Sequence, residues 1–303
     1  MKKVILYLGI FLMITVTVCN FYTDKIYYFI ETKVLKQEYV IASPNDYFVK
    51  TDFNYVENFT DDPSNYFELI NYIYYIINTG VSYADGECKA GYETCVSDLE
   101  RIAKDEELLS TLNNFVHPFN SFKSIKFNIN KKTRRFSFII EHTYSASEIE
   151  QINNLVNTYI EENITDDMDN ISKIKKIHDY IIDKTQYDIN KSKDINNSTY
   201  KSNTAYGVLL QGYGICSGYS DAMAIFLHKL NITNYKISND THIWNLVYIN
   251  GAWRHLDLTW DDPISELNVN QETYFLISTK ELKKLNDKTH NFNVYIFSEA
   301  NKS

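Results

Sequence analysis

Gly212-Tyr213-Gly214-Ile215-Cys216-Ser217-Gly218-Tyr219, Thr241-His242-Ile243-Trp244-Asn245 and Trp253-Arg254-His255-Leu256-Asp257-Leu258-Thr259-Trp260-Asp261-Asp262-Pro263 are pieces of one stretch, residues 204–263, that sets a cysteine, a histidine and an aspartate in that order. The order reads as a nucleophile, its base and the group that orients the base. Gly212, Gly214 and Gly218 surround the cysteine and free the backbone for tight or left-handed turns. From Tyr219 to Leu230 the spacing of Ala222, Met223, Ile225, Phe226, Leu227 and Leu230 is helical. Cys216 is therefore expected just before or at the first turn of a helix. Unpaired N–H groups and the positive end of the helix dipole stabilise a thiolate there, and the same N–H groups stabilise an oxyanion. A free cysteine taken alone is more often a small buried hydrophobe, so the reading rests on the histidine and aspartate downstream of it.

Ile243–Ile249 and Ala252–Leu258 are strand-like, and Asn250-Gly251 between them is a strong hairpin signal. A two-residue turn pairs Ile249 with Ala252, Tyr248 with Trp253 and Trp244 with Asp257. His242 then falls diagonally from Asp257 on one sheet face, at the roughly 7–8 Å backbone separation that long side chains span. A slip of one residue would send the two to opposite faces. Trp244, Tyr248 and Trp253 share that face as core candidates, and so does His255, the rival base. His242 is preferred because it sits at the strand end, nearer a cleft rim.

These residues resemble the transglutaminase-like superfamily, a papain-like fold with a Cys-His-Asp triad. Gly214-Ile215-Cys216-Ser217-Gly218-Tyr219 is similar to the nucleophile motif, and His242-Ile243-Trp244-Asn245-Leu246-Val247 to the histidine strand. Gly251-Ala252-Trp253 with Leu256-Asp257-Leu258-Thr259-Trp260-Asp261-Asp262-Pro263 is similar to the aspartate strand and its exit turn. Lys173–Ile182 resembles the helix before the core, Tyr187-Asp188 the turn after it, and Tyr274–Ser278 a strand of bacterial members. The resemblance implies an α+β fold in which a nucleophile helix packs on an antiparallel sheet. It also implies acyl transfer through Cys216, His242 and Asp257, by amide hydrolysis or by transamidation, with no metal or organic cofactor. Papain-like enzymes place a glutamine upstream of the cysteine, which makes Gln211, five residues before Cys216, an oxyanion candidate beside Tyr206. Arg254 stands where an aromatic residue is frequent, and Ser217 where animal transglutaminases carry Trp. The three motifs fit protease, amidase and inactive members equally, so a non-catalytic cell-envelope binding or scaffold protein is the competing reading.

Met1-Lys2-Lys3 followed by the apolar run Val4–Val18 has the shape of a signal peptide or N-terminal anchor, placed at residues 1–25. It is shorter than the ~20 residues a spanning helix usually needs. Export is expected, with the membrane met through this segment alone. The net charge of −9 and the lack of a Lys/Arg stripe argue against nucleic acid. A protein or peptide substrate is expected instead. Of the four cysteines Cys19 belongs to the N-terminal leader, Cys88 and Cys95 are disulfide candidates in an exported chain, and Cys216 is then the odd thiol left.

Residues 26–145 read as an N-terminal α+β domain and 146–303 as the transglutaminase-like domain, with its core at 165–290. In the first, a helix capped by Asp62-Pro63 runs to Asn78 and stops at Gly80; a second covers Val96–Phe115; Lys123–Asn130 and Arg134–Tyr144 form a hairpin. In the second, Ser147–Asn163 is a helix with Ser147, Glu148 and Glu150 at its cap, and Asp169–Lys184 is the next. His178-Asp179 inside that helix is not read as a dyad, because adjacent helix positions do not face each other. Glu272–Ser278 is expected as a last core strand, Thr279–Asn286 as a short helix and Val294–Phe297 as a terminal strand. His290 is left without an assigned role, a surface position being the default.

Overall fold

The computed structural model describes residues 43–59, 63–197, 199–262 and 272–302. The apolar N-terminal run lies outside the described residues. Among them, no helix is long and apolar enough to cross a membrane.

Helix α1, Tyr66–Thr79, opens on Asn65, whose side chain accepts from the N–H groups of Phe67 and Glu68. The cap is therefore Asn65 and not the expected Asp62-Pro63. The helix ends where expected, at Gly80, which takes the left-handed conformation with φ 76°. Strand β1, Tyr83–Glu87, leads to a loop closed by a Cys88–Cys95 disulfide. The helix expected over 96–115 is two, α2 Cys95–Ile102 and α3 Glu106–Leu112. Asp105 divides them, because its side chain accepts from Leu108 N and so starts a new helix. The hairpin forms as β2, Phe122–Asn130, and β3, Arg135–His142. It gains β1 on its far side, giving an antiparallel sheet of order β1-β3-β2.

Helix α4, Ala146–Asn163, is capped two residues earlier than expected: Ser145 and Glu148 form the reciprocal box. Helix α5, Asn170–Lys184, is capped by Asp169 and buries Ile174, Ile177, His178, Ile181 and Ile182. The expected loop after it carries a two-residue strand β4, Gln186–Tyr187, and a short helix α6, Ile189–Lys193. A π-turn, Gly207–Gln211, ends at left-handed Gly212 and delivers β5, Tyr213–Gly214, parallel to β4. Helix α7, Cys216–Lys229, comes next, and then the antiparallel sheet of β6 Asn234–Ser238, β7 Ile243–Ile249 and β8 Ala252–Leu256. Ile249 pairs with Ala252 and Tyr248 with Trp253, the register expected of an Asn-Gly turn. A one-turn helix α8, Leu258–Asp261, closes the stretch. Two expected strands are absent among the described residues. Of 272–278 only Ile277 bridges, to His255, and 294–297 lies in turns before a 3₁₀ segment, Ser298–Lys302. Helix α9, Thr279–Lys284, forms as expected.

The β6-β7-β8 sheet is buried on both faces. Tyr235, Ile237, Trp244, Leu246 and Trp253 join one apolar cluster with Phe53, Phe115 and the residues of α1, α2 and α3. Val247, Ile249 and Leu256 face the other way, into a cluster with α5 and α7. Buried residues from both sides of position 145 thus share the first cluster. On the α7 face lies a buried ion pair, Lys236 Nζ to Asp221 Oδ1 at 2.6 Å, with Tyr144 donating to the other Asp221 oxygen at 2.6 Å. It ties the sheet, α7 and the segment after β3 at one point.

Removing one member of such a pair leaves the other charge buried and unmatched. Asp221→Ala is expected to lower unfolding free energy in urea by about 3–5 kcal/mol, whereas Asp221→Leu combined with Lys236→Met should lie close to the parent.

Candidate active site

Cys216 is the first residue of α7 and its thiol is free and half-buried. The residue before it, Ile215, has no side-chain acceptor, so nothing in its side chain caps the first N–H groups of the helix. A glycine at 218 is what lets the chain pass here: a Cβ at that position would lie 2.3 Å from the Ser202 carbonyl oxygen. Ile215 N donates to that same oxygen at 2.8 Å, which pins the start of α7 to the preceding loop. The first turn of α7 is also fixed to β7. Ser220 Oγ donates to Ile243 O at 3.0 Å, and Asn245 Nδ2 donates to Ser220 O at 3.0 Å. These bonds set the thiol beside the start of β7, where His242 stands.

The His242 ring has its Nε2 2.5 Å from Asp257 Oδ2, and the Cys216 side chain stands near enough to the ring to favour its protonated form. With Nε2 committed to the carboxylate, Nδ1 is the nitrogen left to serve the thiol. Burial favours the neutral ring, but the Asp257 charge and hydrogen bond, with Cys216 added, outweigh it and raise the His242 pKa to about 10. Burial likewise pushes Asp257 toward its acid form, and the two histidines around it outweigh that and lower its pKa to about 2.

Asp257 is saturated with donors. Oδ1 accepts from Thr259 N at 2.9 Å and Trp260 N at 3.3 Å, as the N-cap of α8. Oδ2 accepts from His242 and also from His290 Nε2 at 2.8 Å. His290 is buried, contrary to the surface position expected, because the chain after α9 folds back over the end of β8. Its Nδ1 lies 2.6 Å from Asp287 Oδ2. One side chain joins the two histidine loops: Asn239 Oδ1 accepts from His242 N at 3.0 Å, while Nδ2 donates to Thr289 O at 2.6 Å and Asn291 O at 2.7 Å. Trp244 stacks on His242, and Tyr274 on His290. His242, Asp257 and His290 present ligand atoms within 4.8 Å of one another. A divalent ion there would compete with the hydrogen bonds that both rings make to Oδ2.

His255, the rival base, is engaged elsewhere. Trp244 Nε1 donates to its Nδ1 at 3.0 Å, and its Nε2 faces Thr279 Oγ1 at 2.9 Å. Burial, then the charge of His290, lowers its pKa to about 3, so it is a neutral core residue.

Of the two oxyanion candidates, Gln211 is exposed and its Oε1 accepts from Lys201 N at 2.8 Å. Tyr206 has Lys201 over its ring. Among the described residues no contact brings either to Cys216. Tyr187 does approach it. Pairing of β4 with β5 sets Tyr187 opposite Gly214. Burial first, and then the nearby Cys216 charge, raises the Tyr187 pKa, so its hydroxyl keeps its proton. The sequence held Tyr187 only as part of a turn, because its proximity to the cysteine depends on a pairing across 26 intervening positions. His178 and Asp179 do meet, Nδ1 to Oδ1 at 2.9 Å, contrary to the expectation for neighbours on a helix. The ring's Nε2 reaches Asp261 Oδ2 at 3.2 Å, so His178 is a buried tie between α5 and α8.

Residues 157–258 match the family model of the transglutaminase-like superfamily. A solved structure described as a TGase aligns over 51% of this chain and 48% of its own, with 14% identity and a TM-score of 0.38. This chain thus spans about half the length of that structure. No curated protein matches. The matched segment holds Cys216, His242 and Asp257 and stops short of His290.

The two shifts set a stability window. A raised His242 pKa stabilises the fold fully below its ordinary 6.5, and this is lost as pH climbs through about 10. A lowered Asp257 pKa stabilises above its ordinary 3.8, and this is lost as pH falls through about 2. The unfolding free energy of the parent relative to Asp257→Asn should therefore be largest between roughly pH 4 and 6.5 and shrink at both ends. Denaturant titrations across pH read this directly.

Proposed function

We propose that this chain, whose residues 157–258 form a transglutaminase-like core, is a cysteine enzyme that transfers acyl groups from amides or esters. The observation that carries the reading is the linked set in which Asp257 holds His242 and His242 in turn meets the Cys216 thiol. His242 Nδ1 takes the thiol proton, and the thiolate attacks the substrate carbonyl. The resulting oxyanion is met by the uncapped N–H groups at the start of α7 and by the Tyr187 hydroxyl. The C–N or C–O bond breaks, and His242 returns its proton to the leaving amine or alcohol, which leaves a thioester on Cys216. Water or a second amine then attacks the thioester while His242 accepts its proton, and acid or new amide departs with the thiol restored. Asp257 stays ionised throughout and holds the imidazole in the tautomer with Nε2 protonated.

The substrate we propose is a protein or peptide, reached outside the cytoplasm. The basic head and apolar run at the N-terminus and the Cys88–Cys95 disulfide both suit an oxidising compartment. The N-terminal segment is then the only part that meets a membrane.

The test is iodoacetamide labelling together with amine release from a peptide amide pool, with and without an added primary amine. Cys216→Ser should abolish amine release and the labelling located at position 216, Cys19 serving as the internal reference thiol. His242→Ala should remove most activity, and Asp257→Asn should lower turnover by about 10⁴-fold with the fold kept. His255→Ala should keep its labelling rate while losing stability. Equal labelling of the parent and His242→Ala across pH would overturn the reading. Product trapped by the added amine assigns transamidation, and free acid assigns hydrolysis.

A further inference from the structure

We infer that His290, backed by Asp287, is a fourth member of the catalytic chain: a positioning residue that acts on Cys216 through Asp257 and His242. The inference rests on the proposed triad and extends it.

Three observations carry it. First, His290 and His242 converge on the same oxygen, Asp257 Oδ2, at 2.8 Å and 2.5 Å. A carboxylate oxygen that accepts from two rings is held in place and kept ionised, which is what a triad aspartate has to be. Second, both His290 ring nitrogens face carboxylates, with Nδ1 2.6 Å from Asp287 Oδ2. Satisfying both needs an N–H on each nitrogen, so the ring donates to Asp257 while Asp287 orients it, as Asp257 orients His242. Third, the support is built into the backbone. Asp287 caps its own turn through Thr289 N at 2.9 Å, and Asn239 joins the His290 loop to the His242 loop. Tyr274 stacks on the His290 ring and donates to Asp287 at 3.1 Å.

A surface histidine needs none of these contacts. An ordinary packing histidine such as His255 is served by neutral donors and acceptors. His290 instead sits between two acids and reaches the triad. The titratable groups around it are Asp257 at the end of β8, His242 before β7, His255 within β8, and Tyr274 and Asp287 of the C-terminal segment.

The experiment measures the second-order rate of Cys216 alkylation by iodoacetamide as a function of pH in the full chain, with melting temperature measured in parallel. His290→Ala should move the profile midpoint upward, toward that of Asp257→Asn. It should slow alkylation at pH 7 by on the order of tenfold, since an unassisted thiol is only a few per cent ionised there. His290→Gln, whose amide can still donate to Oδ2, should recover most of the rate. Asp287→Asn keeps the ring and its stacking partner, and position 287 borders a cavity of about 390 Å³, so this variant should cost less stability than His290→Ala. Its midpoint should move the same way by a smaller amount. A lowered melting temperature with unchanged midpoint in His290→Gln and Asp287→Asn would reduce His290 to a packing residue and overturn the inference. His242→Ala in the same series separates the two claims. If it too leaves the profile unchanged, the triad itself fails; if it alone changes the profile, only the role of His290 does.

Discussion

A single buried carboxylate organises the functional half of this protein. Asp257 terminates β8, caps α8 and receives a histidine from each of two loops. An ionised acid in a dry interior is costly unless donors surround it, and here four do. They come from three separate requirements of the fold. The Thr259 and Trp260 amides are present because a helix begins there. His242 is present because β7 begins beside it. His290 arrives because the chain returns across the sheet end after α9. Losing any of them leaves the carboxylate short of a partner, so the same contacts that orient the base also hold the C-terminal segment down.

Cys216 is positioned by a second set of constraints, in which neutral hydrogen bonds and backbone contacts act with one buried ion pair. Helix α7 cannot slide along the sheet, because its Ser220 donates to Ile243 O and accepts from Asn245 Nδ2 of β7, and its Asp221 pairs with Lys236 of β6. It cannot lift from the preceding loop, because Gly218 lies against the Ser202 carbonyl and Ile215 bonds to it. Cys216 is thus held near His242 by backbone contacts and by polar groups of the neighbouring strands. The apolar cluster on the opposite sheet face, drawn from α1, α2 and α3, makes this sheet rigid on both sides. The N-terminal unit therefore contributes to the site as a support under β7 and β8.

Much of this architecture was legible in the residues themselves. Asn250-Gly251 fixes the hairpin register, since both residues fall where a tight turn takes positive φ, at 51° and 80°. That register alone puts His242 and Asp257 on one face. The Tyr219–Leu230 periodicity places Cys216 at a helix start, and Gly80 and Asp169 mark helix ends by their own chemistry. The misses have local causes too. Ser145 and Asn65 outcompete the caps expected from Ser147 and Asp62-Pro63, because the true caps are the ones whose oxygens reach free amides. Asp105 breaks a run whose apolar spacing reads as continuous.

What the sequence determined by itself is whatever depends on neighbours in the chain: hairpin register, helix periodicity, turn chemistry and the order of cysteine, histidine and aspartate. What only the tertiary structure decided is which distant groups arrive at the same place. His290 is 33 positions from Asp257, and the nearest local sign of its role is the Asp287-x-x-His290 spacing that forms one turn. Tyr187 comes opposite Gly214, two residues before Cys216, through a two-residue parallel pairing too short to leave a pattern. His255, on the same face as the base, is set aside because Trp244 and Thr279 occupy its nitrogens. Side-chain hydrogen bonds of this kind obey no periodicity. They depend on packing that brings separate segments within about 3 Å, and a linear reading has no measure of that.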